Sequence, residues 1–362
     1  MVLSVFDIMR IQEIISSDKK DNIPEKYYES IFQLFQNKER ENHTFDPPKL
    51  DYFRKHWKIS DLSWQKTFRF VGIDENDNVQ VYAWLGFNTK YDNLTKAWFH
   101  VYVNDDDDKI INRIIMLKEM VKLVPDHITK IATGIMDESE DAKFYFSTDK
   151  EPSYEEILFE LNLEKKDLAE VSKQAKNLRE KALKSGYEII FIEGLDYNNY
   201  VDYPSFVDLV ERIRNDMPRE ELSREDTNLN LERFKELCSS NQKKWGTFYN
   251  FIAVHKDTGK PVGLTTSVLD DYQPHVAYQW DTGVHPEYRG NGLGLALKYQ
   301  MLEKLLTSTN AKIWFTGSSS VNIYMHRINT TLGYKKCGSE KIIDFTKDEL
   351  QNFLEILELN TS

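Results

Sequence analysis

Apolar positions along the chain fall into two rhythms, one suited to strands and one to helices. The clearest strand signals lie in the second half. Residues 188–193 carry the run Ile189-Ile190-Phe191-Ile192, and 248–254, 262–269 and 275–284 read as three further strands. The turn Asp257-Thr258-Gly259-Lys260 joins the first two of these as a hairpin would. Helices are predicted over 203–215, 230–238, 295–306, 322–332 and 347–359, and strands over 312–316 and 334–345. Upstream, Leu168, Val171, Ala175, Leu178 and Ala182 recur at three-to-four spacing, which predicts a long helix over 163–184 that stops at Gly186. We read this helix as the connector between two domains, 1–185 and 186–362.

The first half repeats the order more faintly. Strands over 68–73 and 79–87 flank a turn at 74–78, a strand over 97–103 leads into an acidic turn, and a helix over 110–123 and a strand near 130–133 follow. Strand order, intervening turn and following helix match the second half. The pattern predicts an α+β fold made by duplication of one unit, each copy a mixed sheet flanked by helices.

At roughly 150 residues per domain, 362 residues allow two or three domains with sizeable cores. The formal charge is −12, which argues against a cationic nucleic-acid face and against docking on anionic lipid. No uncharged apolar run approaches the roughly 18 residues of a membrane helix. The first ten residues, broken by Asp7, are too short for a secretory signal. Cys238 and Cys337 offer neither a metal spacing nor a disulfide framework, so no metal is expected and a reducing cytoplasm is the natural setting.

The most informative stretch is Val284-His285-Pro286-Glu287-Tyr288-Arg289-Gly290-Asn291-Gly292-Leu293-Gly294, between a predicted strand and a predicted helix. The first turn of a helix points unpaired N–H groups outward and carries partial positive charge. Glycines admit positive φ and a close approach of the backbone to a bulky anion. Together these make a cradle for a pyrophosphate, to which Arg289 could add charge-assisted bonds. The spacing is not that of the dinucleotide fingerprint, because position 295 is Leu.

This stretch, extended back to Gln279 and forward through Asn322, Met325, Asn329, Leu332, Gly333 and Tyr334, resembles the GNAT N-acetyltransferase superfamily over about residues 187–345. Asp216 to Pro218 with Arg219-Glu220-Glu221 is similar to the acceptor-side segment of a tandem subgroup. The resemblance implies two tandem GNAT-like domains, the second using acetyl-CoA to acetylate an amine. It implies that the pantetheine arm lies between splayed strands ending at Val284 and Thr316. Val284, His285, Arg289, Gly290, Asn291, Gly292, Leu293, Gly294 and Asn322 would hold the coenzyme, and Asn322 equally suits a helix N-cap. In the first half the cradle is replaced by Asn104, Asp105 to Asp108 and Lys109, whose carboxylates would repel a pyrophosphate. That copy is read as degenerate.

Acetyl transfer requires a neutral amine, a donor for the developing oxyanion and a proton for the thiolate. The resemblance implies a backbone N–H at Val284 or a direct neighbour as the oxyanion donor. Asp281 is the nearest strand carboxylate for a base; it reads also as a strand-end carboxylate bound to backbone N–H or to an arginine. Asp216, Glu220 and Glu221 are alternatives. Asn329 stands where the family places its general-acid tyrosine; it has no proton to give, and it could instead bond the CoA sulfur region or pantetheine. Tyr324 is a second candidate acid. The expected partners are acetyl-CoA and an amine acceptor, small molecule or peptide, with no nucleic acid or membrane and a monomer or homodimer. Two other readings keep the fold: a CoA-binding regulatory protein without turnover, and a transferase using a different acyl donor.

Overall fold

In the computed structural model, residues 9–16, 25–41, 50–51, 62–104, 108–148 and 150–361 are described. The chain begins with β1 (Arg10–Ser16), α1 (Glu25–Glu41), β2 (Gln65–Ile73), β3 (Val79–Asn88), β4 (Lys96–Val103), α2 (Lys109–Leu123), β5 (Lys130–Met136) and α3 (Glu140–Tyr145). It continues with β6 (Tyr154–Asn162), α4 (Leu168–Lys184), β7 (Tyr187–Glu193), α5 (Tyr203–Asn215), α6 (Leu231–Lys244), β8 (Thr247–His255), β9 (Pro261–Leu269) and β10 (Val276–Val284). The last elements are α7 (Leu293–Ser308), β11 (Ile313–Ser319), α8 (Ile323–Leu332), β12 (Lys335–Phe345) and α9 (Lys347–Thr361).

Helix ends follow from side chains that satisfy the first N–H groups. Asp167 caps α4 through Ala169 and Glu170 N–H, Asp202 caps α5 through Ser205 N–H, and Asn230 caps α6 through Arg233 N–H. Gly186, at φ +91°, follows the end of α4 as expected. The observed α5 coincides with the predicted 203–215, whereas α6 runs on through residues 239–244, which carry no apolar position to signal a helix.

Two compact units result. Unit 1 comprises 1–155, 219–226 and 340–362, and unit 2 comprises 156–218 and 227–339. These differ from the expected halves 1–185 and 186–362, for two reasons. The strand β6 was not predicted, and it pairs with β11 from Asn162↔Ile313 to Glu156↔Ser319. The predicted connector helix is instead core: Val171, Ala175 and Ala182 of α4 are buried in one cluster with Leu297, Met301 and Leu305 of α7. Gln300 ties the two helices by donating to the Ala175 carbonyl at 2.8 Å.

Within unit 1 the strand order is β1-β2-β3-β4-β5-β12. The far end of β12 supplies the last strand, antiparallel to β5 from Glu340↔Met136 to Phe345↔Ile131. One face buries Ile31 and Leu34 of α1 against Val71 and Tyr82; the other buries Ile114, Leu117 and Met120 of α2 with Leu350, Phe353, Leu354 and Leu357 of α9. Residues 219–226 join this unit through Ser223 N–H to Asp344, which also pairs with buried Lys96 at 3.0 Å.

Within unit 2 the order is β6-β11-β10-β9-β8-β7. Helices α4 and α7 cover one face. Helices α5 and α6 cover the other, where Phe206, Val210, Ile213 and Phe234 meet Ile252 and Leu264. Each unit is thus a mixed sheet between helices.

Removing residues after Ser339 takes four buried α9 side chains from unit 1, at about 2 kcal/mol each, comparable to the net stability of a domain. Hydrogen exchange on the truncated chain is expected to show lost protection in β5 and α2 with protection retained in β8 and β9. Full protection of β5 would show that unit 1 does not depend on its returning strand.

Candidate active site

The site grows from a parting of two strands. β10 and β11 run parallel and pair at only three positions, Val276↔Ile313, Ala277↔Trp314 and Tyr278↔Phe315. Beyond these β10 stays with β9 and β11 stays with β6. A bulge between Gln279 and Thr282 interrupts the β9–β10 ladder. The Gln279 side-chain amide fills it, donating to the carbonyls of Thr266 and Trp280.

Register then decides which amides face the gap. His285 N–H donates to the Val262 carbonyl at 2.8 Å while Val284 lies opposite Gly263. In an antiparallel ladder that makes Val284↔Gly263 a non-hydrogen-bonded pair, so the N–H and C=O of Val284 point away from β9, toward the opened edge. Two residues earlier the same holds for Thr282, opposite Thr265. Gly283, between them, accommodates α5: a Cβ there would lie 2.6 Å from the Ile213 side chain.

At the end of β10 a short 3₁₀ turn, Pro286–Tyr288, leads into the glycines. Gly290 and Gly292 have φ of +83° and +74°, and a Cβ at either would meet nothing within 4 Å. Their requirement is therefore backbone conformation, with open space outside. Gly292 is the N-cap of α7 and has no side chain with which to cap it. The first return bond is Ala296 N–H to the Gly292 carbonyl, so the N–H groups of Leu293, Gly294 and Leu295 precede the ladder. Asn291 braces the turn, donating to the Tyr288 carbonyl and the Tyr187 hydroxyl.

Of the other anticipated residues, Arg289 donates through Nε to the Val284 carbonyl at 3.0 Å and through Nη2 to Asp216 at 2.8 Å. Asp216 also pairs with Arg212, so it is a bracing carboxylate. His285 packs edge-on to Tyr288. Asn322 is the N-cap of α8, accepting from Met325 N–H. Asp281 takes the arginine-bound alternative, accepting from Arg214 Nε and Nη2 at 3.2 and 3.0 Å. Glu220 and Glu221 fall in the 219–226 segment of unit 1. Tyr324 is 73% exposed in the first turn of α8. Asn329 is 0% exposed.

Residues 210–334 match the acetyltransferase (GNAT) family. This stretch is a GNAT domain. No curated protein matches the chain. Among solved structures, a tandem GNAT protein from the clavulanic acid biosynthesis pathway superposes with a TM-score of 0.71 at 15% identity, covering 94% of this chain and 98% of that one. A GCN5-related N-acetyltransferase from Sphaerobacter thermophilus gives 0.61 at 12%, covering 94% and 96%. The Saccharomyces cerevisiae N-myristoyltransferase with bound myristoyl-CoA gives 0.54 at 14%, covering 95% and 80%. The chain has the tandem GNAT fold, and its GNAT domain is of an acyl-transferring family.

The GNAT domain also contains a residue that periodicity could have revealed. Lys298 sits among the buried positions Leu297, Met301, Leu302 and Leu305 of α7 and is 0% exposed. Its Nζ donates to Asn329 Oδ1 at 3.0 Å and lies 4.9 and 4.8 Å from the Trp314 and Tyr334 ring centroids. Asn329 thus serves a buried ammonium. Burial pushes the Lys298 pKa down to about 7.

Unit 1 repeats the parting but closes it. β4 and β5 are parallel over Lys96↔Lys130, Ala97↔Ile131 and Trp98↔Ala132 only. Two residues beyond, His100 Nδ1 meets Thr133 Oγ1 at 2.9 Å, and burial holds that imidazole neutral, its pKa near about 3. Asp141 pairs with Lys38 and Arg113. Of the acidic turn, Asp108 is the N-cap of α2 and Asp105 to Asp107 lie outside the described residues. Among the described residues, no group of three His, Cys, Asp or Glu could hold a metal ion, and no helix is long and apolar enough to cross a membrane.

The depressed Lys298 pKa carries a stability signature. Between about pH 7 and 10.5 the unfolded chain holds a proton that the folded chain has released, so stability rises with pH across that window and is lost as pH falls toward 7. Urea titrations of the wild type and Lys298→Met should diverge there, with the wild type gaining relative to the variant by on the order of 1 kcal/mol per pH unit. Parallel curves would refute a depressed lysine.

Proposed function

We propose that unit 2 binds acetyl-CoA and transfers its acetyl group to the amine of a small molecule or peptide. The observation that carries this reading is the conjunction of an opened strand edge with an uncapped, glycine-led helix N-terminus at its end. The backbone N–H groups of Gly290, Asn291, Gly292, Leu293 and Gly294 would hold the diphosphate, joined by a guanidinium already ordered by Val284 and Asp216. The Val284 N–H, on the opened edge, would pair with an amide of pantetheine as an added strand does. The bound thioester supplies an activated acyl group. The residues fit that group: no Cβ occupies the turn at Gly290 or Gly292, and the edge amides on β10 are aimed into the gap.

The chain then has three tasks. Backbone N–H at Thr282, two residues further from the glycine turn, bonds the carbonyl oxygen as negative charge grows on it. The bulge turns Trp280 and Asp281 to the α5 face, where Trp280 packs against Phe248 and Trp245. Arg214 engages the Asp281 carboxylate through Nε and Nη2, so that this carboxylate serves as a wall of the acceptor space. The free thiols of Cys238 and Cys337 suit a reducing cytoplasm.

One observation favours a second reading, CoA binding without turnover: Asn329, where the family places its acid, is buried on Lys298. Calorimetry with acetyl-CoA and thiol release with a panel of primary amines separate the two. Binding with turnover is expected. Gly292→Val should weaken binding at least about 10-fold, or about 1.4 kcal/mol, with the circular dichroism spectrum retained. Absence of binding to the wild type would end the proposal, and binding without release on any amine would favour the second reading.

A further inference from the structure

The sheet of unit 2 contains a carboxylate that the glycine motif does not announce. Glu156 stands at the start of β6, opposite Ser319 of β11. Gly317 lies two residues beyond Phe315, the last β11 residue paired with β10, and so at the level where the bulge begins on the facing strand. A Cβ built on Gly317 would fall 2.5 Å from both Cδ and Oε1 of Glu156. The glycine is therefore the floor over which this carboxyl group lies.

Alternation fixes the face. Trp314 of β11 is in the core with α7, and so is Leu161, its partner on β6. Residues 315, 317 and 319 of β11, with 156, 158 and 160 of β6, accordingly point to the other face, the one covered by α5 and α6. Trp280 points there too. The carboxyl group of Glu156, a β6 residue, thus lies over β11 on the face that the proposed function gives to the acceptor, while the amides proposed to polarise the thioester lie across the gap on β10.

Unit 1 repeats the arrangement position for position. Gly134 follows Thr133 as Gly317 follows Thr316, and Gly134 pairs with Ile342 as Gly317 pairs with Leu158. Two residues before Ile342 is Glu340, whose Oε1 would lie 2.2 Å from a Cβ on Gly134. In that copy the gap is stitched by His100 and Thr133, and burial raises the Glu340 pKa. The same carboxylate-over-glycine element therefore stands beside a closed gap in unit 1 and an open one in unit 2.

We propose that Glu156 is the general base of the acyl transfer, a role that rests on the reading of unit 2 as an acetyl-CoA-dependent transferase. Glu156 takes a proton from the incoming ammonium, directly or through one water, and later yields it to solvent. The amine lone pair forms the C–N bond as the C–S bond breaks. The second proton leaves the nitrogen for the departing thiolate, giving amide and free thiol.

Three measurements on the full chain test this. Glu156→Gln should bind acetyl-CoA with unchanged affinity by calorimetry while kcat falls about 100-fold or more. Gly317→Ala displaces only the flexible end of the glutamate, so it should keep the fold and the affinity and also lower kcat at least about 10-fold. Glu340→Gln should alter neither. Bromoacetyl-CoA gives a readout independent of the acceptor. A carboxylate oxygen at the site attacks the methylene carbon, a C–O bond forms and bromide leaves, so peptide mass mapping should find the adduct on Glu156. Adduct on another residue together with full turnover by Glu156→Gln would overturn the assignment while leaving the transferase reading standing. No heat on titrating acetyl-CoA into the wild type would remove that reading and the base with it.

Discussion

Everything chemical in this molecule depends on two parallel strands that stop pairing after three residues. Main-chain N–H and C=O groups inside a sheet are costly to leave unmade, and an opened edge invites any passing strand. In the GNAT domain the opening is held by local devices. The bulge aims the chain away from β11, and the Gln279 amide takes up the carbonyls that the bulge exposes. Arg289 takes up the Val284 carbonyl. Gly283 lets Ile213 of α5 press directly on β10 at the bend. What remains is a short row of oriented amides leading to an uncapped helix, a polar surface prepared before any ligand arrives. Preorganisation of this kind is what allows dipoles to act on a developing charge without further rearrangement.

Much of this was legible in the sequence because its signals are local. The turn needs glycine at 290 and 292 because φ is positive there, and a sequence can state that requirement only by placing glycine. Asp202 before α5 and Asn322 before α8 mark their helices by the bonds they accept. The illegible parts are those in which a residue's role depends on a distant strand. β6 carries Glu155, Glu156 and Glu160 among its apolar residues, a composition that strands usually avoid, and only its pairing with β11 makes it one. β12 was legible as a strand, but not that its far end serves unit 1. Asn329 shows the same limit. Its spacing from Gly333 pointed to a family role, yet its surroundings are decided by Lys298, thirty-one residues away.

The duplicated unit separates what the backbone preserves from what chemistry needs. Both copies keep the three-residue parallel pairing, the Thr-Gly pair on the strand beyond it and a glutamate laid over that glycine. They differ at the position two residues past the parting, His100 in one and Trp280 in the other. A histidine there bonds across to Thr133 and is dried out. A tryptophan packs sideways onto Phe248 and leaves the gap to something else. One side chain thus changes the fate of an opening that the fold itself supplies.

Charge completes the argument. With a formal charge of −12 the protein as a whole repels polyanions and attracts cations. On the proposed function, long-range steering favours the amine acceptor alone, and the coenzyme is held at short range. The amides at 290–294 suit that task, since oriented N–H groups carry no net charge and act within a turn of the helix. The cationic side chain of the turn, Arg289, is partly neutralised by Asp216. An acidic surface and an anion-binding turn are then compatible features, each operating over the range at which it does not disturb the other.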